Sequence, residues 1–177
     1  PTAIKIAAAR SLIRLIRFGD LPVENRHKVA AAVVAELAKD DTHYWYQMRL
    51  TEVLATLDVT LDLVNRKPYV VNALQDVLRD PQRDIRVRAK AAKALGRVPL
   101  DPQIDISALM RDVMQFALEL ATAAQQNPEK PEWKQAFWDL YMAYMPLDTN
   151  DKDATKKNPA GFLNNRQTAN LAQQTYK

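Results

Sequence analysis

Apolar residues recur at helical spacing along most of the chain, most regularly between residues 69 and 98. The pattern predicts an amphipathic helix over 69–79, which ends at Asp80 because Pro81 disfavours helix at the residue before it. A second helix is predicted over 83–97, with Asp84 as its N-terminal cap. Apolar residues occupy most of its circumference, so we expect it to pack against neighbours on more than one side.

Prolines lie between the periodic segments and mark where helices are interrupted. In the segment after His43, leucines at 50, 54, 57 and 61 share one helical face with Val64 and predict a single long helix. Only three glycines are present, a poor supply for the turns of an all-β fold. The chain is therefore predicted to be all-α, with helices over 3–18, 24–39, 43–65, 69–79, 83–97, 104–126, 132–145 and 165–175.

The residues between 69 and 98 resemble a HEAT repeat. In that family a leucine-rich first helix ends in Asp, and the second helix carries Val-Arg, a pair of alanines and Ala-Leu-Gly, a pattern matched here by Asp80, Val87-Arg88, Ala91-Ala92 and Ala94-Leu95-Gly96. One repeat cannot bury its own apolar faces, so neighbouring repeats are expected. The resemblance implies a right-handed α-solenoid of stacked antiparallel helix pairs.

Sliding the sequence along itself reveals further repeats. At an offset of 40, residues 34–40 align with 74–80, and at an offset of 83, residues 4–15 align with 87–98. The chain thus begins in the middle of a repeat, and we expect it to be either a piece of a longer protein or an array whose first helix serves as a cap. The outer side of the first helix is then an exposed apolar stripe. Three parts are predicted: a repeat domain over 1–147, a polar linker over 148–161, and a C-terminal helix within 162–177 that packs on the last repeat.

Positive charge is concentrated in the first half of the chain. Residues 1–100 hold 17 Lys and Arg against 11 Asp and Glu, whereas residues 101–177 hold 8 against 10. An electrostatic partner is therefore expected to approach the first half. The cations of the second helix step by three and four, which places them on one side. The candidate basic face comprises Arg10, Arg14, Arg83, Arg86, Lys90, Lys93 and Arg97.

Arg88 points about 200° away from Arg86 and so leaves the candidate basic face. In HEAT-like arrays the arginine at this position ties adjacent repeats together through the aspartate of a preceding turn. The resemblance therefore implies a structural role for Arg88, with Asp80 or its equivalent Asp40 as the partner.

Aromatic residues form two groups. A row comprising Trp133, Phe137, Tyr141 and Tyr144 is predicted to lie in the core and close the end of the array. Residues 44–46 are three consecutive aromatics at a helix start. Because they cannot all face inward, one of them is expected on the surface, where it could anchor a partner.

The chain contains little that could support catalysis. It has no cysteine, so thiol chemistry and disulfides are excluded, and the two histidines lack an adjacent glutamate. No phosphate-binding loop is visible, and the acidic residues at 148–153 lack the glycine and glutamate of a calcium loop. We therefore predict no enzyme activity, no metal and no cofactor.

The predicted function is a non-enzymatic module for protein–protein interaction, which presents a partly basic helical surface to another protein or to other domains of its parent chain. Nucleic-acid binding through the same basic face is the alternative, and a merely solvated face is the third interpretation. No run is long enough to span a bilayer. The oligomeric state and the compartment stay open, with the cytoplasm slightly favoured.

Overall fold

The computed structural model describes residues 1–39, 42–145, 161–163 and 168–176. Within these residues the chain is all-α and contains no strand, which confirms the predicted class. The helices are α1 (Thr2–Phe18), α2 (Val23–Leu37), α3 (Tyr44–Thr56), α4 (Tyr69–Arg79), α5 (Ile85–Leu95), α6 (Ile106–Gln126), α7 (Glu132–Tyr144) and α8 (Ala169–Tyr176).

The boundaries of α4 agree with prediction at both ends, and α5 begins at its predicted cap. The Asp84 carboxylate accepts a hydrogen bond from the backbone N–H of Arg86 at 2.9 Å, which satisfies one of the free donors of the first turn. Local sequence signals were sufficient here because the proline, the cap and the apolar spacing all favour the same helix ends.

The predicted long helix over 43–65 is wrong, because α3 ends at Thr56. Leu57 is fully buried but has an extended backbone, so its side chain belongs to the core without belonging to the helix. Further on, the Asp62 carboxylate accepts hydrogen bonds from the backbone N–H groups of Val64 and Asn65 at 2.9 and 3.0 Å. These bonds form a local turn that replaces the predicted helix. Val64, which was predicted to share the apolar face, is 92% exposed.

The helices pack in two rows. In one row α1 packs on α3, α3 on α5, and α5 on α7, while α2, α4, α6 and α8 make successive contacts in the other. Helix pairs α2 with α3, α4 with α5, and α6 with α7 join the two rows. The fully buried leucines lie on helices of both rows and form a continuous core.

The offset of 83 residues seen in the sequence has a counterpart in the structure. Helices α1 and α5 begin at Thr2 and Ile85, and α2 and α6 begin at Val23 and Ile106, so both pairs of first residues differ by 83. One ion pair recurs at the same offset. Lys5 Nζ lies 3.0 Å from Glu36 of α2, and Arg88 Nη2 lies 2.6 Å from Glu119 of α6. The α1–α2 and α5–α6 pairs therefore share their spacing along the chain and one ion pair.

The described residues near the C-terminus fold back onto α7. Phe162 donates its backbone N–H to the carbonyl of Ala143 at 3.0 Å, and its ring meets the Tyr144 ring edge-on at 5.6 Å. Gly161 has a φ of 80°, which favours glycine, and donates its N–H to the carbonyl of Gly96 at 3.0 Å. Helix α8 contacts α6. Residues 148–160 of the predicted linker lie outside the described residues.

The prediction of a buried aromatic row on α7 is wrong for two of its members, because Phe137 and Tyr141 are 41% and 42% exposed. Tyr144 is buried as expected. The face of α7 that packs on α5 carries small residues, among them Ala136 and Ala143, and α5 is itself rich in alanine. Two faces of small residues can approach closely, and this packing turns the larger rings outward.

Candidate interaction surface

Most of the candidate basic face on α5 is not an exposed surface. Helix α5 lies between α3 and α7, and its cations meet carboxylates on those helices. Lys90 Nζ and Lys93 Nζ each lie 3.1 Å from Asp139 Oδ1 of α7, and Asp139 is fully buried. Lys90 also lies 3.2 Å from Glu52 of α3. The two lysines therefore tie three helices together and do not lie on a freely exposed face, and their part in binding a partner stays a prediction.

The arginines at the start of α5 are also engaged within the chain. Arg86 bonds to the Asp84 carboxylate through Nε at 2.9 Å and Nη2 at 2.6 Å, and its guanidinium lies over the Tyr44 ring at 3.9 Å. The hydrogen bond from the Arg86 side chain lowers the pKa of Asp84 and raises the pKa of Arg86. Arg83 bonds to Asp80 at 3.1 Å and reaches the carbonyl of Leu37 at 3.0 Å.

Arg97 is the most enclosed of these cations, at 6% exposure. Its Nη2 donates to the carbonyl of Met142 at 2.6 Å, whereas its Nε and Nη1 are buried without a hydrogen-bond partner among the described residues. Burial lowers the pKa of Arg97, because the charged form loses its hydration. Arg97 is therefore a buried cation and not part of a binding face.

Arg10 and Arg14 do lie on the surface as predicted. Both are exposed on α1, together with Arg17. No Asp or Glu occurs between residues 1 and 19, so α1 carries only positive side-chain charge. The exposed part of the candidate basic face is thus reduced to α1.

The predicted partners of Arg88 need correction. Arg88 is 5% exposed, donates from Nε to the carbonyl of Leu78 at 2.8 Å and pairs with Glu119 of the following helix pair. Asp80 instead accepts hydrogen bonds from Arg83 and from the backbone of Gln82, within its own turn. Asp40 lies outside the described residues. Arg88 therefore connects α4 with α6, through the carbonyl of Leu78 and the carboxylate of Glu119, and not through Asp80.

Asp139 and Glu119 were not predicted from the sequence, although Asp139 left a signal, whereas Glu52 was expected to interrupt the basic face. Asp139 lies at helical spacing from Ala136 and Ala143, so it belongs to the small-residue face of α7 and could have been placed in the core. Burial raises the pKa of Glu119, but hydrogen bonds from Gln115 and Arg88 outweigh this effect and leave the pKa lowered. Neither Glu119 nor Glu52 is marked by any comparable local pattern.

The outer side of α1 is an exposed apolar stripe, as expected. Ile4, Leu15 and Phe18 are 65%, 52% and 85% exposed. Beside this stripe lies an open groove of about 470 Å³ between α1 and α2, with α3 as its floor. Its lining is mostly apolar: Ile4, Ala8, Ala9 and Leu12 of α1, Ala32 and Val33 of α2, and Tyr46, Leu50 and Val53 of α3, with Lys5 and Glu36 at the polar positions.

Three further features concern an exposed aromatic residue, possible metal ligands and possible membrane spans. Trp45 is 53% exposed and is the aromatic of residues 44–46 that lies on the surface. In the part of the chain that the structure describes, no three His, Asp or Glu side chains converge in a way that could hold a metal ion. Across the same residues, every helix is too short or too polar to cross a membrane.

Comparisons with the models of known protein families, with curated proteins and with solved structures find no match for this chain. The resemblance of residues 69–98 to a HEAT repeat therefore stays a prediction from the sequence.

Proposed function

We propose that the chain is a non-enzymatic protein-interaction module, built as a right-handed, HEAT-like α-solenoid of stacked antiparallel helix pairs. Two observations support the solenoid: the helices pack in two rows, and the α1–α2 pair is equivalent to the α5–α6 pair at an offset of 83 residues. Each helix pair in such an array contacts its neighbours and leaves the ends of the stack uncovered.

The observation that carries the proposed function is the outer surface of α1. It combines an apolar stripe of three large exposed side chains with Arg10 and Arg14, whereas the cations of α5 are engaged inside the chain. Contiguous apolar residues on a surface mark interaction sites, and arginine is enriched at protein interfaces. Because α1 packs on α3 as a regular helix, the surface is pre-organised and loses little conformational entropy on binding.

The test is affinity capture from an extract of the native host, followed by reconstitution with the purified candidate partner. Three forms of the whole chain are compared: wild type, the double variant Arg10→Glu/Arg14→Glu, and Arg111→Glu, which changes an exposed arginine of α6. The same protein should be retained by wild type and by Arg111→Glu and lost with the double variant. Retention by all three forms would contradict the proposed surface.

Nucleic-acid binding is the second candidate, because α1 carries four Lys and Arg residues and no carboxylate. Three phosphate contacts to duplex DNA would give a slope of about 3 when the logarithm of the affinity is plotted against that of the salt concentration. A titration of fluorescent duplex DNA with the chain, repeated between low and physiological salt, measures that slope. Binding that survives physiological salt and disappears in Arg10→Glu/Arg14→Glu would favour nucleic acid over protein.

A further inference from the structure

The two equivalent helix pairs differ in what covers them. Ile4 and Ala8 of α1 correspond to Val87 and Ala91 of α5 at the offset of 83. Val87 and Ala91 are fully buried, whereas Ile4 is 65% exposed and Ala8 is also exposed. The same face is therefore closed over α5 and open over α1.

Helix α4 is the element that covers the α5–α6 pair. It packs closely on α5 and contacts α6, where Gln75 and Arg79 both bond to Asp112, at 2.8 and 2.7 Å. At its C-terminal end the carbonyl of Leu78 accepts a hydrogen bond from Arg88 at 2.8 Å. The apolar face of α4 is formed by Val70, Val71, Leu74, Val77 and Leu78.

The open groove lies at the equivalent place over α1 and α2. Lys5 occupies the position of Arg88, and Val33 occupies the position of Phe116, so smaller side chains leave more room there. Helices α2, α4 and α6 form a row, and the groove borders α2, the first helix of that row. The place is therefore shaped for one more helix.

We propose that the groove binds an amphipathic helix of another protein, in the way that α4 lies over α5 and α6. The inference rests on the proposed function and names the kind of partner. The bound helix presents apolar residues at i, i+1, i+4, i+7 and i+8, the spacing of the apolar face of α4. Its C-terminal carbonyls face the Lys5 ammonium, which complements the partial negative charge of a helix C-terminus.

The probe is a synthetic peptide with the sequence of residues 69–79. Eleven residues are too few for a stable helix in water, so Asn72→Lys is introduced and linked to Asp76 by a lactam. Both positions are exposed on α4, so the link leaves its apolar face unchanged. Fluorescence anisotropy of the labelled peptide, titrated with the whole chain, should show saturable binding, and a scrambled lactam peptide should show none.

Substitutions of residues that line the groove test whether the peptide binds there. Ala8→Glu and Ala32→Glu place a charged side chain in the groove and should each weaken binding by about tenfold, or 1.4 kcal/mol. Ala7→Glu and Ala35→Glu are matched controls, since both alanines are exposed on the same helices outside the groove, and binding should not change. Lys5→Met should weaken binding about threefold. Circular dichroism melting establishes that each variant is folded.

Several outcomes would overturn the inference. Absence of saturable peptide binding, or equal affinity of the wild type and folded Ala8→Glu, would remove the groove as a helix site. A dimer in analytical ultracentrifugation that dissociates in Ala8→Glu would assign the groove to a second copy of the chain instead. The proposed function is tested separately, because capture of a protein through Arg10 and Arg14 does not depend on the peptide.

Discussion

Helices α1 and α5 align at an offset of 83 residues, but their charged residues have different roles. At the offset of 83, Arg10 corresponds to Lys93 and Arg14 to Arg97. Lys93 pairs with a buried carboxylate of α7 and Arg97 is 6% exposed, whereas both residues of α1 lie on the surface. The comparison shows that cations at aligned positions form buried ion pairs or exposed charges, depending on which helices pack beside them.

The largest effect is expected for Asp139→Ala. Asp139 is fully buried and is the shared partner of Lys90 and Lys93, so its removal leaves Lys90 with Glu52 alone and takes the carboxylate away from Lys93. The free energy of unfolding should fall by about 3 to 5 kcal/mol, measured by urea denaturation. Glu36→Ala removes the partner of Lys5 on α1 and should shift the urea midpoint of unfolding much less. A similar shift for both variants would contradict the distinction between the two helices.

Arg88→Ala should be the next most damaging substitution, with a loss of about 3 kcal/mol. Its guanidinium donates a hydrogen bond to the carbonyl of Leu78 and pairs with Glu119, and the substitution removes both interactions. Its counterpart Lys5→Ala, at a half-exposed ammonium, should cost about 1 kcal/mol or less. Thermal melting followed by circular dichroism ranks the variants. Equal melting temperatures for Arg88→Ala and Arg86→Ala would refute the structural role of Arg88.

Arg97→Met should stabilise the chain by about 1 kcal/mol. The substitution removes a buried cation that makes one hydrogen bond, and it keeps an apolar side chain of suitable length in the site. Arg14→Met changes an exposed position and should alter the free energy of unfolding by less than about 0.5 kcal/mol. Chemical denaturation of both variants measures the difference. Destabilisation by Arg97→Met would show that the guanidinium contributes more than its burial costs.

The smallest effect concerns Asp84, whose carboxylate has no counterpart at the start of α1, where Pro1 is the N-cap residue. The pKa of Asp84 is lowered in the folded chain, so its stabilising contribution is complete at neutral pH and is lost as the pH falls below about 4, through the folded-state pKa. Asp84→Asn keeps the cap but loses the ion pair. The stabilities of wild type and variant should differ by about 1 kcal/mol at neutral pH and converge in acid. Parallel stability curves from neutral to acidic pH would contradict this assignment.

Prediction succeeded where the determinants were local. Asp80-Pro81 ended α4, and Asp84 capped α5. It failed at α3, where a leucine-rich spacing continued past Thr56 although the backbone turned at residues 62–65. Apolar spacing reports which side chains are buried, and a buried loop can produce the same spacing as a helix.

The candidate site could be predicted only in part. The apolar stripe of α1 and the exposure of Arg10 and Arg14 agree with the expectations from the sequence. The groove depends on the gap between α1 and α2, and the ion pairs of Lys90 and Lys93 depend on Asp139, 49 and 46 residues away in the chain. A pairing over that distance leaves no local pattern.

The sequence by itself determined that this chain is helical and where most of its helices begin and end. These properties depend on spacing, caps and prolines, whose effects act within a few residues. Only the tertiary structure decided which cations are buried, which aromatic rings of α7 face outward, and that a groove stays open over α1. A side chain becomes core or surface through the helices packed around it, and that packing joins residues far apart in the chain.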